Sequence, residues 1–427
     1  MPPTATNATQ RRQTRNRVWW IAAGLALAVI LSGYIRCLAK YGDLTPLIRF
    51  GSEFEATAVP AIRAQPHHVH QGYGFDAQFY VQLGTDPLLL KPETPAAMDN
   101  QSVRPRRILL PLATWLFSAG GQAWLALWVY PLINLVAWLA LGVVTWRILR
   151  PVPADVVGPD LGPCLAVSNG ERASTKVEPY EAKRVGAFLA IVLGPGAVES
   201  ASRAVTDLPA FLLAFASLSL AGFGGAIMLS LAALGRETTL LAWPGRVGDL
   251  RDWKKNGLRW ILDGAICVTP LAVWMVSLHL RFGGGGAGVD GGNLGLPLSG
   301  LFTRLKEIAA HLSAQPVASV SDLILHPAIQ CSVLIVSVVT QMIFLLTKPR
   351  WNDALWRWGL LAGTLGLCLG WATWEAFYTV TRHLLPLHVA FNLLLVRSET
   401  SSRSPWAWLI IGNLHVLPRV LYWLGFH

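Results

Sequence analysis

Uninterrupted apolar segments of membrane-spanning length are the feature that most constrains this chain. The first runs from Val18 to Cys37, and another runs from Trp124 to Ile148. The hydrocarbon core of a bilayer is about 30 Å thick, and a helix rises about 1.5 Å per residue, so about 20 apolar residues cross it. These segments predict transmembrane helices and exclude a soluble globular fold.

The composition supports the same fold class. Only 14% of the 427 residues are charged, whereas a soluble domain usually has about 25%, because it needs a surface that water can wet. Nineteen tryptophans are present, and their amphipathic rings favour the boundary between membrane and water. We therefore expect an all-α membrane protein, a polytopic bundle of about nine to eleven transmembrane helices.

The net charge of +11 raises the question of nucleic-acid binding. The Lys and Arg residues concentrate in three short segments: the first 17 residues, the insert 150–184 and the loop 246–257. Short loops rich in Lys and Arg stay in the cytoplasm. The charge therefore predicts topology and contact with membrane lipids, and we expect no nucleic-acid partner.

The cytoplasmic preference of short basic loops also predicts how the chain is divided between the two sides of the membrane. Residues 1–17 form a cytoplasmic tail, and residues 18–427 form a single transmembrane domain. Within that domain, 40–107 is a large outer loop and 150–184 is a cytoplasmic insert. The apolar piece 108–117 is too short to span, which favours a helix on the membrane surface.

One segment, 224–243, does not fit a simple crossing. A single crossing there would place the basic loop that follows it on the outer side. The segment is therefore re-entrant, broken or a tight hairpin. The five cysteines are dispersed without a C-x-x-C pair, so the sequence predicts neither a disulfide framework nor a zinc site.

The outer loop holds the densest group of residues that could carry chemistry. It reads GYGFDAQFYVQLGTDPLLL from Gly72 and MDNQSVRPRRILLP from Met98. A carboxylate there could accept a proton from a hydroxyl nucleophile, and guanidinium groups could hold a phosphate. Structural roles are the alternative, with the acids capping turns and the arginines reaching lipid phosphates. The residues in question are Asp76, Asp86, Asp99, Arg104, Arg106 and Arg107. The aromatic residues around Asp76 would partly desolvate it, and we expect this to raise its pKa.

Further charges lie in or beside apolar segments. Glu199, Arg203 and Asp207 recur every four residues, which places them on one helical face. Charges inside a membrane usually mark a site or pathway, although a mutual ion pair is an equal alternative here. Other polar residues of this kind are Arg236, Glu237, Glu375, Arg382, His383 and His388.

The histidines of the PHHVH segment form a possible metal site in the outer loop. His67, His68 and His70 are close in sequence, but no neighbouring helix repeats their spacing. A loop role is the simpler interpretation.

Several of these motifs together carry a family resemblance. They are carboxylate-x-Gln-Phe-Tyr, Asp-Pro-Leu-Leu, Asp-Asn before Arg-x-Arg-Arg-Ile-Leu, Thr206-Asp207, Gly235-Arg236-Glu237-Thr238, Arg281-Phe282-Gly283, and Arg382 before Leu-Leu-Pro. The chain resembles bacterial polytopic membrane proteins that look like GT-C glycosyltransferases, near the mannosyltransferases of glycolipid-anchor synthesis. The motifs are short, but they touch most of the chain.

The resemblance implies a GT-C fold in the cell inner membrane, with an acid of the first outer loop facing the active site. The donor would be a polyprenyl-phosphate sugar and the acceptor a lipid or glycan on the outer, periplasmic face. Asp76 would be the catalytic base. The substrate-binding candidates are Arg106, Arg107, Arg382, Asp99 and Asp207. No cofactor is required, and a divalent metal is compatible with such a site. A flippase for a lipid-linked glycan and a non-catalytic membrane protein are the alternatives.

Overall fold

The structure is a computed structural model that describes residues 5–150, 177–283, 293–314, 326–375, 377–398 and 404–423. Most of the predicted cytoplasmic insert, from 151 to 176, lies outside the described residues. The described chain is mostly helical. Its helices up to the middle of the chain are α1 (Ala5–Tyr41), α2 (Thr45–Ile48), α3 (Pro60–Arg63), α4 (Ala77–Leu83), α5 (Glu93–Ala96), α6 (Leu109–Phe117), α7 (Ala123–Leu149), α8 (Val177–Val192), α9 (Pro195–Ser202), α10 (Asp207–Ser217) and α11 (Gly222–Gly235).

The remaining helices include several short ones around breaks. They are α12 (Trp243–Arg246), α13 (Trp253–Phe282), α14 (Ser299–Ala314), α15 (Pro327–Thr347), α16 (Ala354–Leu367), α17 (Trp371–Glu375), α18 (Phe377–His383), α19 (Leu385–Arg397), α20 (Ser404–Gly412) and α21 (Val416–Trp423). Within the described residues they are accompanied by three 3-10 turns, at Arg104–Arg106, Glu237–Ala242 and Leu250–Asp252. The two strands, β1 (Phe50–Gly51) and β2 (Val69–His70), pair in parallel within the predicted outer loop.

Five helical stretches of the described chain are long and apolar enough to cross a membrane. A sixth is α18 with α19, a pair bent by 60° at Leu384. The stretches are Asn16–Tyr41, Ala123–Leu149, Glu181–Ser202, Lys254–Phe282 and Pro327–Thr347. The protein is therefore a multi-pass, all-helical membrane protein, as the sequence predicted.

The ambiguous segment 224–243 is a hairpin. Helix α11 ends at Gly235, and the chain returns beside it through the 3-10 turn Glu237–Ala242 and α12. Arg246, at the end of the return, donates to the carbonyl oxygens of Ser217 and Gly222, next to the start of α11. The basic loop 246–257 therefore lies at one end of the bundle, called here the basic end. Arg236 lies at the other, called the loop end because the segment 40–107 packs there.

The predicted surface helix is present as α6, a nine-residue helix. Leu110 and Thr114 are buried on one side, whereas Leu116 and Phe117 are more than 60% exposed on the other. A one-sided apolar exposure is what a helix lying on a membrane presents to lipid. Its position relative to the bilayer stays a prediction.

The interpretation of Glu199, Arg203 and Asp207 as one helical face is wrong. Helix α9 ends at Ser202 and α10 begins at Asp207, with Ala204 in the left-handed region at φ +46° between them. Glu199 and Arg203 do form an ion pair. Asp207 instead begins a separate helix and has its own arginine partners.

The loop end depends on a close approach between α9 and α18. A Cβ atom added to Gly196 would lie only 2.4 Å from the backbone oxygen of Thr381, closer than real Cβ atoms come. Gly142, within α7, has space: its nearest neighbour would be a Val192 methyl group at 4.0 Å.

We expect Gly196→Ala to lower the free energy of unfolding by about 1–3 kcal/mol, because α9 and α18 must separate to admit the methyl group. Gly142→Ala is the control and should be neutral or slightly stabilising, since alanine favours a helix by about 1 kcal/mol over glycine. Thermal unfolding of both purified variants in detergent measures this. Equal midpoints for the two variants would contradict the close approach.

Candidate functional site

A cavity of about 750 Å³ opens at the loop end, between the outer loop and the ends of several helices. Its lining is strongly polar. The described lining includes three carboxylates, Asp76, Asp99 and Glu237, and six arginines, Arg104, Arg106, Arg107, Arg203, Arg236 and Arg382. The excess of positive charge suits an anionic ligand.

Asp76 reaches the cavity from the turn that precedes α4. Gly72 and Gly74 both have positive φ, +86° and +75°, and glycine adopts this backbone conformation without the strain of a side chain. Gln78 fixes the turn, since its side chain accepts from the Gly51 amide at 2.9 Å and donates to the Tyr73 carbonyl at 2.8 Å. The Asp76 side chain remains 35% exposed, at the wall of the cavity.

Arg104 joins the two carboxylates of the outer loop. It donates to both oxygens of Asp99, at 2.8 and 2.7 Å, and its Nη1 lies 3.0 Å from Asp76 Oδ1. The guanidinium also lies over the ring of Phe79, 5.1 Å from its centre. A bidentate arginine–carboxylate pair has a fixed geometry, so Arg104 orients both acids.

The expectation that desolvation raises the pKa of Asp76 is wrong in its net direction. Burial does raise the pKa of this carboxyl, but the charges of Arg104, Arg382 and Arg107 outweigh it and hold the pKa below its usual value. Asp76 is therefore ionised at neutral pH. It can accept a proton, but its surroundings stabilise the anion rather than the acid.

The inner wall of the cavity is built on Asp207. This carboxylate is only 2% exposed and pairs with two arginines, Arg236 and Arg382. The Arg382 Nη1 lies 3.1 Å from Asp207 Oδ2, and its Nε donates to the Tyr378 carbonyl at 3.2 Å. Asp207 thus holds two guanidinium groups at the cavity wall, although it does not line the large cavity itself.

Arg107 and Arg106, both candidates from the sequence, also line the cavity. Arg107 donates to the Tyr80 hydroxyl at 3.2 Å and lies 3.9 Å from Glu237. Arg106 donates from Nε to the Ser102 carbonyl at 2.8 Å. Their neighbour Pro105 accepts a hydrogen bond from Trp274 of α13 at 2.8 Å, which fixes this segment against the bundle.

Arg203 contributes a feature that the sequence did not reveal. Its guanidinium lies 4.3 Å from the centre of the Phe75 ring and 3.9 Å from that of Tyr378. Arg49 covers Phe75 as well, at 4.4 Å. Such cation–π contacts stabilise by about 0.5–2 kcal/mol each. Phe75, next to Asp76, is thereby held by two arginines from different parts of the chain.

Some sequence candidates lie away from the cavity or have structural roles. Asp86 accepts from the amides of Leu90 and Lys91 and from the Thr94 hydroxyl, and so closes a turn. His388 is buried in the bundle, 3.1 Å from the Gln341 amide. His383, in contrast, is one of the residues that line the large cavity.

In the part of the chain that the structure describes, no three His, Cys, Asp or Glu side chains lie close enough together to hold a metal ion. His67 instead contacts Glu55 at 3.1 Å, and His68 and His70 pack edge to face. Between Asp76 and Asp99, where a cation would complement the two carboxylates, Arg104 supplies the positive charge.

The structure thus brings Asp76, Asp99, Arg106, Arg107 and Arg382 to one cavity, with Asp207 directly behind it. The motifs that surround these residues in the sequence gave a signal for each of them. The sequence marks Arg236 as a charge within an apolar segment and as part of a short motif, and it marks Arg104 as one of a group of arginines, but it assigns neither residue its partner. No local sequence signal marks the pairing of Arg236 with Asp207, since 29 positions separate them.

Comparisons of this chain with protein-family models, with curated proteins and with solved structures gave no match.

Arg104→Gln should lower the free energy of unfolding by about 1–3 kcal/mol at pH 7, because two carboxylates lose a charged donor. The contribution from Asp76 depends on pH. Its folded-state pKa is depressed, so the stabilisation is present above its unfolded pKa of about 4 and is lost as the pH falls through the lower folded value. The difference between parent and variant should therefore shrink below about pH 4.

Arg106→Gln is the matched control, since the Arg106 side chain bonds a backbone carbonyl and no carboxylate among the described residues. Unfolding midpoints of the three proteins between about pH 3 and 8 measure the effect. A pH-independent difference for Arg104→Gln would contradict the ion pair with Asp76.

Proposed function

We propose that this protein is a glycosyltransferase of the GT-C type that transfers a sugar from a polyprenyl-phosphate carrier to an acceptor hydroxyl at the outer face of the cell inner membrane. The single observation that supports this best is the cavity at the loop end. An ionised carboxylate, Asp76, and an excess of arginines line the same space, where the outer loop meets the ends of membrane-spanning helices. Five helical stretches of the described residues, or six with the bent pair, are long and apolar enough to cross a membrane, so the expected nine to eleven spans stay a prediction.

This reaction needs a base for the acceptor hydroxyl and positive charge beside the leaving phosphate, and the residues of the cavity suit both roles. The acceptor oxygen attacks the anomeric carbon, the bond between that carbon and the phosphate oxygen breaks, and the carrier leaves as polyprenyl phosphate. Asp76 takes the proton of the acceptor hydroxyl. Arg107 and Arg382, with Arg106 nearby, bind the phosphate and stabilise the negative charge that grows on it.

The preorganisation of the arginines matters for this role. Guanidinium groups held by Asp207 need not reorient when the leaving group becomes more negative, so their stabilisation of the transition state costs little reorganisation. Asp207 and Asp99 act through the arginines that they hold. The proposed role of both residues is therefore indirect, whereas the family resemblance implied that both bind substrate.

A flippase for a lipid-linked glycan is the second candidate, and it would need polar residues along a path through the bundle. Behind the arginine wall, however, Phe211 stacks on Trp358 with ring centres 5.2 Å apart and on Phe215 at 5.8 Å. This apolar stack favours a site confined to one end. A non-catalytic role is disfavoured because Asp76 lines a cavity rather than a packed turn.

Asp76→Asn should lower the rate of sugar transfer by at least about 100-fold, since a positioned base typically contributes about 10²–10⁴-fold. The assay uses the purified chain with a set of polyprenyl-phosphate hexoses and a membrane lipid extract, and it measures released polyprenyl phosphate by mass spectrometry. Asp86→Asn is the control and should lose much less activity per folded molecule, since Asp86 closes a turn. Equal rates for Asp76→Asn and the parent would rule Asp76 out as the base.

The double variant Arg106→Gln, Arg107→Gln should raise the donor concentration needed for half-maximal transfer by about tenfold or more, because charged hydrogen bonds to the phosphate are lost. Arg63→Gln is the control: this outer-loop arginine donates to the Ala56 carbonyl and does not line the cavity. If the double variant and Arg63→Gln respond alike, the two arginines are lipid anchors only.

A further inference from the structure

A second cavity, of about 290 Å³, lies at the basic end of the bundle. It is formed where the link between α10 and α11 meets α12 and the first turns of α13. Its described lining includes Gly222, Arg246, Asn256, Arg259 and Asp263. The helices α10 and α11 separate it from the large cavity, and the two share no lining residue.

The two arginines of this cavity differ in whether a carboxylate neutralises them. Arg246 is bound on all sides: it donates to both oxygens of Asp263, at 3.1 and 2.7 Å, and to the Gly222 carbonyl at 2.9 Å. It therefore forms a rigid wall with no net charge. Arg259 is exposed, and its guanidinium pairs with no carboxylate in the described part of the chain. It lies over Gly222, with Nη2 3.9 Å from where a Cβ atom would be.

Exposed apolar surface begins directly beside this cavity. On α13, Leu258 is 73% exposed and Leu262 is 55% exposed, and Leu262 lies one turn along from Arg259. On the other side Leu220, which lines the cavity, is 45% exposed and Phe223 is 66% exposed. A ligand seated here would meet a cationic, hydrogen-bonding pocket at one end and an apolar helix surface at the other.

We propose that this cavity binds the phosphate headgroup of an anionic membrane lipid, with the acyl chains lying along α11 and α13. Arg259 and the Asn256 amide donate to the phosphate, and the neutralised pair of Arg246 and Asp263 fixes the pocket. Basic pockets between helices at the positively charged side of a membrane protein suit such headgroups. The site is distinct from the proposed transferase site and does not depend on it.

The test uses the purified full-length chain in neutral detergent and native mass spectrometry, with three probes: dioleoyl phosphatidylglycerol, dioleoyl phosphatidylcholine and glycerol 3-phosphate. We expect phosphatidylglycerol to bind at least about tenfold more tightly than phosphatidylcholine, whose choline offsets the phosphate charge. Glycerol 3-phosphate should bind far more weakly, because it lacks the acyl chains. Binding of glycerol 3-phosphate as tight as that of phosphatidylglycerol would overturn the lipid assignment in favour of a soluble phosphate ligand.

Arg259→Gln should weaken phosphatidylglycerol binding by about tenfold, because one charged donor is lost. Arg251→Gln is the matched control, since Arg251 is exposed in the basic loop just before α13 but does not line the cavity. It should change the affinity less than about twofold. Equal losses in both variants would show diffuse attraction to the basic loop, and no loss in Arg259→Gln would place the lipid elsewhere; either result overturns the proposal.

Tryptophan fluorescence gives a second measurement of whether the lipid occupies this cavity, and it does not depend on the folding of Arg259→Gln. Trp260 lines the cavity beside Arg259, so phosphatidylglycerol with brominated acyl chains should quench part of the tryptophan fluorescence of the parent. Trp260→Phe should remove that part, and native mass spectrometry of the variant shows whether phosphatidylglycerol is still bound. Quenching that is unchanged in Trp260→Phe would show that the lipid does not occupy this cavity. Circular dichroism and elution volume confirm that each variant is folded.

Discussion

The loop end depends on one buried ion cluster, Asp207 with Arg236 and Arg382. These residues come from the start of α10, the end of α11 and the end of α18, so the cluster joins three helices at one point. An isolated buried charge costs several kcal/mol, and removing one partner of a buried pair typically costs about 3–5 kcal/mol. With one carboxylate and two guanidinium groups, the cluster keeps a net positive charge. That surplus faces the large cavity, so the interaction that joins the helices also gives the cavity its affinity for anions.

The outer loop is attached beside this cluster by Arg203 and by Trp274 of α13. Arg203 lies between Phe75 and Tyr378, and Trp274 of α13 bonds the segment that carries Arg107. These contacts, together with the ion pair between Arg104 and Asp76, leave Asp76 little freedom to move. A base and a phosphate clamp must be placed to within about 0.5 Å for catalysis, and residues from distant parts of the chain provide that placement here.

Sequence reasoning identified the long apolar helices, the short helix α6 and most of the charged residues around the cavity, because apolar runs and local motifs can be recognised in short windows. It placed Asp207 on one face with Glu199, since a four-residue spacing cannot reveal that the helix stops at Ser202. It predicted a raised pKa for Asp76, since the aromatic neighbours are adjacent in sequence whereas Arg382 is not. What it missed are contacts between distant segments: the pairing of Arg236 with Asp207 and the stacking of Arg203. The hairpin after α11 was one of three alternatives, and the position of Arg246 beside Gly222 decided between them.

The arginines at the two ends of the bundle differ in how far they are neutralised. The difference depends on how many carboxylates and carbonyl oxygens lie within hydrogen-bond distance of each guanidinium group. At the loop end, six arginines face three carboxylates across an open cavity, so charge is left over for a ligand. At the basic end, Arg246 is neutralised by Asp263 and donates to backbone carbonyls, and Arg259 is the remaining charge among the described residues that line the cavity. The stacked rings of Phe211, Phe215 and Trp358 lie between the arginine wall and the interior and bury no charge. Placing charge inside that layer would cost at least about 2.5–3.5 kcal/mol per residue on insertion scales. The charged residues that line the two cavities therefore lie at the two ends of the bundle, on either side of this apolar layer.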